Sequence, residues 1–283
     1  MQIFEALSLA CDELTHNSVI NPRVDAEILL ACSLGQSRSY LLAHFQDTVD
    51  EPLSLDFFCK VRERCKGKPL QYILGYQEFW GLKFEVSPAV FIPRPETEFV
   101  VETALKYLED NRLTIVDVGT GSGCLAVTLA KILPQARVWA IDLSESALKI
   151  ARRNADRHGV TRRVEFLQGD LLEPLRSLVS EGQIDAIVSN PPYVSQKELL
   201  TLQKEVRDWE PHLALVGKGS GSSIYPHLVF QSRMWLKPGG ILVMEIGYRM
   251  QEEVCALFHQ GWKQLKISED LSGIPRAVAG VKV

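Results

Sequence analysis

Beyond residue 112 the chain repeats one unit: a short apolar run, a turn, then a stretch of helical periodicity. The runs are Ile115-Val116-Asp117-Val118, Val138-Trp139-Ala140-Ile141-Asp142, Val164-Glu165-Phe166-Leu167, Ile184-Asp185-Ala186-Ile187-Val188 and Ile241-Leu242-Val243-Met244. Near-continuous apolar runs of this length are typical of strands buried on both faces. Helical stretches separate them, such as Ser144 to His158 with Gly159 as its stop. Parallel strands joined by helical crossovers make a doubly wound α/β sheet, and such sheets bind ligands beyond the carboxyl ends of their strands.

Residues 1–76 follow a different pattern. Ile3, Phe4, Leu7, Ala10 and Leu14 recur at helical spacing. Asn21 and Pro22 read as a cap and first turn for Val24 to Leu34, which Gly35 stops. Leu53 to Cys65 is amphipathic, and Gly67-Lys68-Pro69 breaks it. A small helical bundle without strands is expected. Residues 77–95 form a joint, where Glu78-Phe79-Trp80 and Leu82-Lys83-Phe84-Glu85-Val86 flank Gly81 with period two and predict a hairpin. Near Pro93-Arg94-Pro95-Glu96-Thr97-Glu98 a helix starts with acids in its first turn, and residues 96–283 carry the sheet.

The formal net charge of −4 argues against duplex nucleic acid as the main partner, because phosphate neutralisation supplies most of such affinity. The six cysteines include no C-x-x-C pair, and no histidine accompanies Cys59 and Cys65, so no metal site is expected. Scattered thiols suit a reduced, cytoplasmic protein. No window approaches the roughly 18 apolar residues of a membrane span, and Met1-Gln2-Ile3-Phe4-Glu5 lacks a basic signal n-region.

The first strand ends in Asp117-Val118-Gly119-Thr120-Gly121-Ser122-Gly123. Alternate glycines let a backbone turn sharply and approach a ligand closely. The spacing differs from the dinucleotide pattern G-x-G-x-x-G. Asp142 closes the second strand, where a carboxylate can accept both hydroxyls of a ribose. Asp170 closes the third, placed to accept from an adenine amine while Leu171 covers the ring. Any one acid serves equally well as a helix cap; three such strand ends together suit an adenosine-bearing cofactor without a pyrophosphate.

Asn190-Pro191-Pro192-Tyr193 follows the fourth strand. A nitrogen to be methylated must be held with its lone pair on the methyl carbon, in line with the departing sulfur. The Asn190 side-chain oxygen can accept from a target NH2, and the Pro191 carbonyl can accept its second hydrogen. Charge developing on that nitrogen is then stabilised. The prolines stiffen the loop, and Tyr193 offers a flat face for a planar amide or base.

On these motifs the chain resembles the HemK/PrmC family of protein-(glutamine) methyltransferases across nearly its whole length. Gly67-Lys68-Pro69-Leu70-Gln71-Tyr72-Ile73-Leu74-Gly75, Phe91-Ile92-Pro93-Arg94-Pro95-Glu96-Thr97-Glu98, Glu210-Pro211 before Ala214-Leu215, and Asp270-Leu271-Ser272-Gly273-Ile274-Pro275-Arg276 share in the resemblance. It implies an α/β fold, a Rossmann-like class I methyltransferase sheet with a small all-α N-terminal domain at residues 1–76 that helps to hold the substrate. It implies S-adenosylmethionine held by Gly119, Thr120, Gly121, Ser122, Gly123, Asp142, Asp170 and Leu171, with Asn190 touching both cofactor and substrate. The implied substrate is the glutamine of the Gly-Gly-Gln motif in class I peptide chain release factors. Asn190 would be its catalytic residue and Pro191, Pro192 and Tyr193 its further contacts.

An adenine-amine methyltransferase would use the same loop, but the charge and the helical front end disfavour it. A ribosomal-protein glutamine would also fit the loop. A nicotinamide oxidoreductase is disfavoured by the glycine spacing, and a non-catalytic module by the intact Asn190. Phe91 is expected to be core or to wall the pocket, and Arg94 to pair with Glu96 or Glu98 or to face the substrate. Arg152, Arg153, Arg157, Arg162 and Arg163 read first as a solvated face.

Overall fold

The computed structural model describes residues 1–108, 112–217 and 222–283. It divides into two compact units, one of Met1–Tyr76 with Gln203–Trp209, the other of Gln77–Leu202 with Glu210–Val283.

The first unit is helical: α1 (Ile3–His16), α2 (Pro22–Leu34), α3 (Arg38–Ala43), α4 (Glu51–Cys65) and α5 (Leu70–Leu74). Leu7, Leu14, Leu29, Leu30, Phe57 and Val61 meet in its core. Pro22 opens α2 as expected, but the Asn21 side chain makes no capping bond. Gly35 ends the helix at φ +64°, where a left-handed backbone favours glycine. Sequence periodicity gave no reason to assign Gln203–Trp209 to this unit. Arg64, buried on α4, holds it: Nε donates to Asp25 at 2.7 Å and Nη1 pairs with Glu205 at 2.6 Å.

A hairpin follows α5, β1 (Tyr76–Phe79) and β2 (Leu82–Glu85), whose turn residues Trp80 and Gly81 both have positive φ, as the strand twist demands. A seven-stranded sheet follows: β3 (Thr114–Val118), β4 (Arg137–Asp142), β5 (Val164–Gln168), β6 (Ile184–Ser189), β7 (Leu236–Glu245), β8 (Trp262–Glu269) and β9 (Pro275–Lys282). Their order is β5-β4-β3-β6-β7-β9-β8. The first five are parallel neighbours, whereas β9 runs antiparallel to both β7 and β8. Strand order reverses at β3, between β4 and β6, which is where such sheets open a crevice.

Helices cover both faces. α6 (Glu98–Leu105), α7 (Cys124–Ile132) and α8 (Glu145–Arg157) pack on one, over Ile115, Val138, Ala140 and Val188. On the other, a helix at Ile224–Trp235 packs over Val116, Ile187 and Leu242. All five expected strands are present, with bounds shifted by a residue or more. β8 and β9 were not anticipated. β8 is a largely exposed edge strand with few apolar residues, and β9 buries the short run Ala277 to Val281, in which Val278 and Val281 are interspersed with alanine and glycine.

Gly123 caps α7 at φ +83°, and a Cβ there would lie 3.1 Å from Ala151 Cβ on α8. Gly123→Ala should therefore destabilise the fold by about 1–2 kcal/mol from the left-handed backbone alone. Thermal unfolding should show a midpoint lowered by a few degrees; an unchanged midpoint would remove this constraint.

Candidate active site

Four carboxyl strand ends build one concave site. After β3, Gly119, Gly121 and Gly123 all take positive φ. Asp117, fully buried beneath them, organises the loop: its Oδ2 accepts from Thr120 Oγ1 at 2.6 Å and from the Ala126 N–H at 3.0 Å. Burial pushes its carboxyl up to about 7, against those two hydrogen bonds. The Gly119 and Thr120 N–H groups both donate to the Ile141 carbonyl at 2.9 Å, which levels this loop with the end of β4.

There Asp142 ties two loops together. Its Oδ2 accepts from Gly121 N–H at 2.8 Å, and its Oδ1 from Ser144 N–H at 2.9 Å. Burial raises its carboxyl above the usual range, while the backbone donors act the other way. After β5, Gly169 N–H donates to the Asp142 carbonyl at 3.1 Å. Leu171 then sits at φ +50°, a conformation that costs a non-glycine residue roughly 1–2 kcal/mol. Strain of this kind gathers at binding sites.

Beyond β6, Ser189 Oγ donates to the Val118 carbonyl at 2.7 Å, so the fourth strand end lies level with the first. Asn190 Nδ2 donates to Thr97 Oγ1 at 2.9 Å. Thr97 Oγ1 donates to Glu245 Oε2 at 2.6 Å, and the Tyr193 hydroxyl donates to Glu245 Oε1 at 3.1 Å. Burial drives Glu245 up to about 7, and these two donors oppose it. Burial, with Glu245 beside it, also lifts the Tyr193 phenol well above its ordinary value. Gly247 leaves room for the ring: a Cβ there would stand 2.9 Å from Tyr193 Cδ2.

Gly119, Thr120, Gly121, Ser122, Asp142, Asp170, Leu171, Asn190, Pro191, Pro192 and Tyr193 line one pocket. Phe91 lines it too, which decides between its two expected places. Gly123 does not, and faces α8 instead. Arg94 pairs with neither expected acid. It forms an ion pair with the buried Glu210, whose Oε2 also accepts from Ile92 N–H at 3.1 Å. Glu98 instead receives the Trp80 N–H, and Glu96 faces Arg276 at 3.4 Å. The sequence reading missed Thr97 and Glu245. The signal was present, since Glu245 closes an apolar strand just as Asp117 and Asp142 come at the ends of theirs.

Arg153, Arg157 and Arg162 are exposed, as a solvated face requires, and part of the run also bonds within the fold. Arg153 grips Glu85 through Nε and Nη2, Arg152 pairs with Glu145, and Arg163 donates to the Leu133 carbonyl at 3.1 Å.

Residues 109–274 match the model of a methyltransferase domain, and residues 5–75 match that of the PrmC N-terminal domain. A release factor glutamine methyltransferase of Koribacter versatilis is 44% identical over 286 residues, covering 100% of this chain and 99% of its own. Proteins of the same name from Geobacter sulfurreducens and Bacillus subtilis are 42% and 38% identical, covering 94% and 99% of this chain and 92% and 97% of theirs. Among solved structures, the hMettl16 catalytic domain in complex with an RNA hairpin superposes with a TM-score of 0.57 at 15% identity, over 86% of each chain. A Pyrococcus furiosus methyltransferase gives 0.52 at 19% identity, over 72% of this chain and 90% of its own. At such identities these two speak for the fold alone. Sequence similarity over the full length is decisive, and the chain belongs to the release factor glutamine methyltransferase family.

Proposed function

We propose that this protein transfers a methyl group from S-adenosylmethionine to the side-chain amide nitrogen of the glutamine in the Gly-Gly-Gln motif of class I release factors. The observation that carries the reading is the placing of Asn190. Its carboxamide nitrogen is committed to Thr97, and the Asn190-Pro191-Pro192-Tyr193 loop shares a pocket with the glycine loop of β3.

The pocket fits the cofactor on its own chemistry. Asp142 lines the pocket and keeps lone-pair capacity beyond its backbone donors for a ribose hydroxyl. Gly119 and Gly121 bring bare backbone to the wall, and Leu143, Ala147 and Leu171 give it apolar faces. When bound, S-adenosylmethionine supplies an electrophilic methyl group on sulfur.

The remaining work falls to the chain itself. Asn190 Oδ1 accepts one hydrogen of the substrate amide, and the Pro191 carbonyl accepts the other. Both acceptors stabilise positive charge growing on that nitrogen, and the paired prolines hold them without reorganisation. Tyr193, fixed by Glu245 and seated on Gly247, gives the planar amide a face to lie on. The surplus proton leaves to water once the N–C bond has formed. The helical unit, matching the PrmC N-terminal domain, engages the release factor.

Peptide mapping by mass spectrometry after incubation with a release factor and S-adenosylmethionine tests this reading. A single methyl on the Gly-Gly-Gln glutamine is expected; a methyl elsewhere, or none, would refute it.

A further inference from the structure

An asparagine carboxamide has nearly the same shape with its oxygen and nitrogen exchanged, so shape alone does not decide which end enters the pocket. Its neighbour Thr97 does not decide either, because a hydroxyl both donates and accepts. The choice is made one residue further back. An ionised carboxylate only accepts. The Thr97 hydroxyl hydrogen is therefore committed to Glu245 Oε2 at 2.6 Å, and Thr97 Oγ1 has only lone pairs left for Asn190. Asn190 must then turn its NH2 toward Thr97 and its oxygen away. The second carboxylate oxygen is held by Tyr193 at 3.1 Å, so Glu245 anchors both sides of the acceptor loop.

We propose that Glu245, acting through Thr97, is a positioning residue that sets the polarity of the Asn190 carboxamide, granted the role of Asn190 given above. A proton on Glu245 Oε2 reverses the chain. The carboxyl then donates to Thr97, Thr97 donates to Asn190 Oδ1, and the NH2 of Asn190 is left facing the substrate NH2, donor against donor. Turnover therefore requires ionised Glu245 and falls as pH drops through its titration. Burial and Glu96, in the turn before α6, push that titration upward, while the Thr97 and Tyr193 hydroxyls and Arg276 of β9 push it down. Tyr225, whose hydroxyl donates to the Glu245 carbonyl, and Cys124 at the start of α7 also face it.

The test uses the full chain with a release factor and S-adenosylmethionine, and the variants Thr97→Val, Thr97→Ser and Glu245→Gln. Thr97→Val should lose about tenfold in turnover, the typical weight of one hydrogen bond, with cofactor affinity kept. Thr97→Ser should restore turnover to within about threefold, the hydroxyl being returned. The parent should lose about tenfold per pH unit on its acid limb, and Glu245→Gln should be slow without that limb. In the cofactor-free parent, the side-chain NH2 resonances of Asn190 should shift along the same titration and stay fixed in Glu245→Gln. Parental turnover in Thr97→Val, no rescue by serine, or an acid limb that survives Glu245→Gln would each overturn the proposal. Should Thr97→Val fail to fold, the Glu245→Gln profile and the Asn190 resonances decide alone. A parent that methylates no Gly-Gly-Gln factor refutes the proposed function instead, and the resonances still report on the relay.

Discussion

Asn190→Ala is expected to lower turnover by about 100-fold or more, the usual cost of removing one preorganised group aimed at developing charge. Cofactor affinity should change little. Although Asn190 lines the same pocket as the glycine loop, its side-chain nitrogen is engaged by Thr97 rather than by that loop. Single-turnover rates and calorimetry separate the two effects. Asn190→Asp should not rescue. It keeps an acceptor, yet sets a second oxygen against Thr97 Oγ1, whose hydrogen is already given to Glu245. Loss of cofactor binding in either variant, with the chemical step intact, would reverse the assignment of Asn190.

Asp142→Ala should act on the other half of the site. Loss of hydrogen bonds to a charged group costs about 1.5–3 kcal/mol, a rise of roughly 10- to 150-fold in the cofactor dissociation constant. The side chain also holds the N–H groups of Gly121 and Ser144, so the alanine variant frees the glycine loop as well. Asp142→Asn keeps one neutral acceptor and should fall between parent and alanine. Because burial raises the Asp142 carboxyl, affinity should also weaken toward low pH, as the acceptor takes up a proton. An unchanged dissociation constant in Asp142→Ala would take this residue out of the cofactor site.

Much of this architecture was written in local pattern. The parallel strands were legible because burial on both faces demands continuous apolar runs, as in Ile184–Ser189. Their loops stood out because glycines and acids recur together at successive strand ends, although each alone could be a turn or a helix cap. The parts that escaped have physical reasons. β8 needs little apolar sequence, since one edge and much of its surface meet water. Glu205 and Arg64 lie far apart in the chain, and no local periodicity reports an ion pair between them. Thr97 and Glu245 are 148 residues apart, yet they share the hydrogen bond on which the orientation of Asn190 depends. Gly123 carries a further constraint that its spacing in the loop does not report, the close approach of Ala151.

The most direct test is a transfer assay with labelled S-adenosylmethionine and two forms of a class I release factor, one carrying Gly-Gly-Gln and the other Gly-Gly-Ala. Label on the first and none on the second is the predicted result, and it would fix cofactor, acceptor residue and partner together. Label on neither, with transfer to a ribosomal protein or to nucleic acid, would leave the methyltransferase fold standing and contradict the proposed substrate.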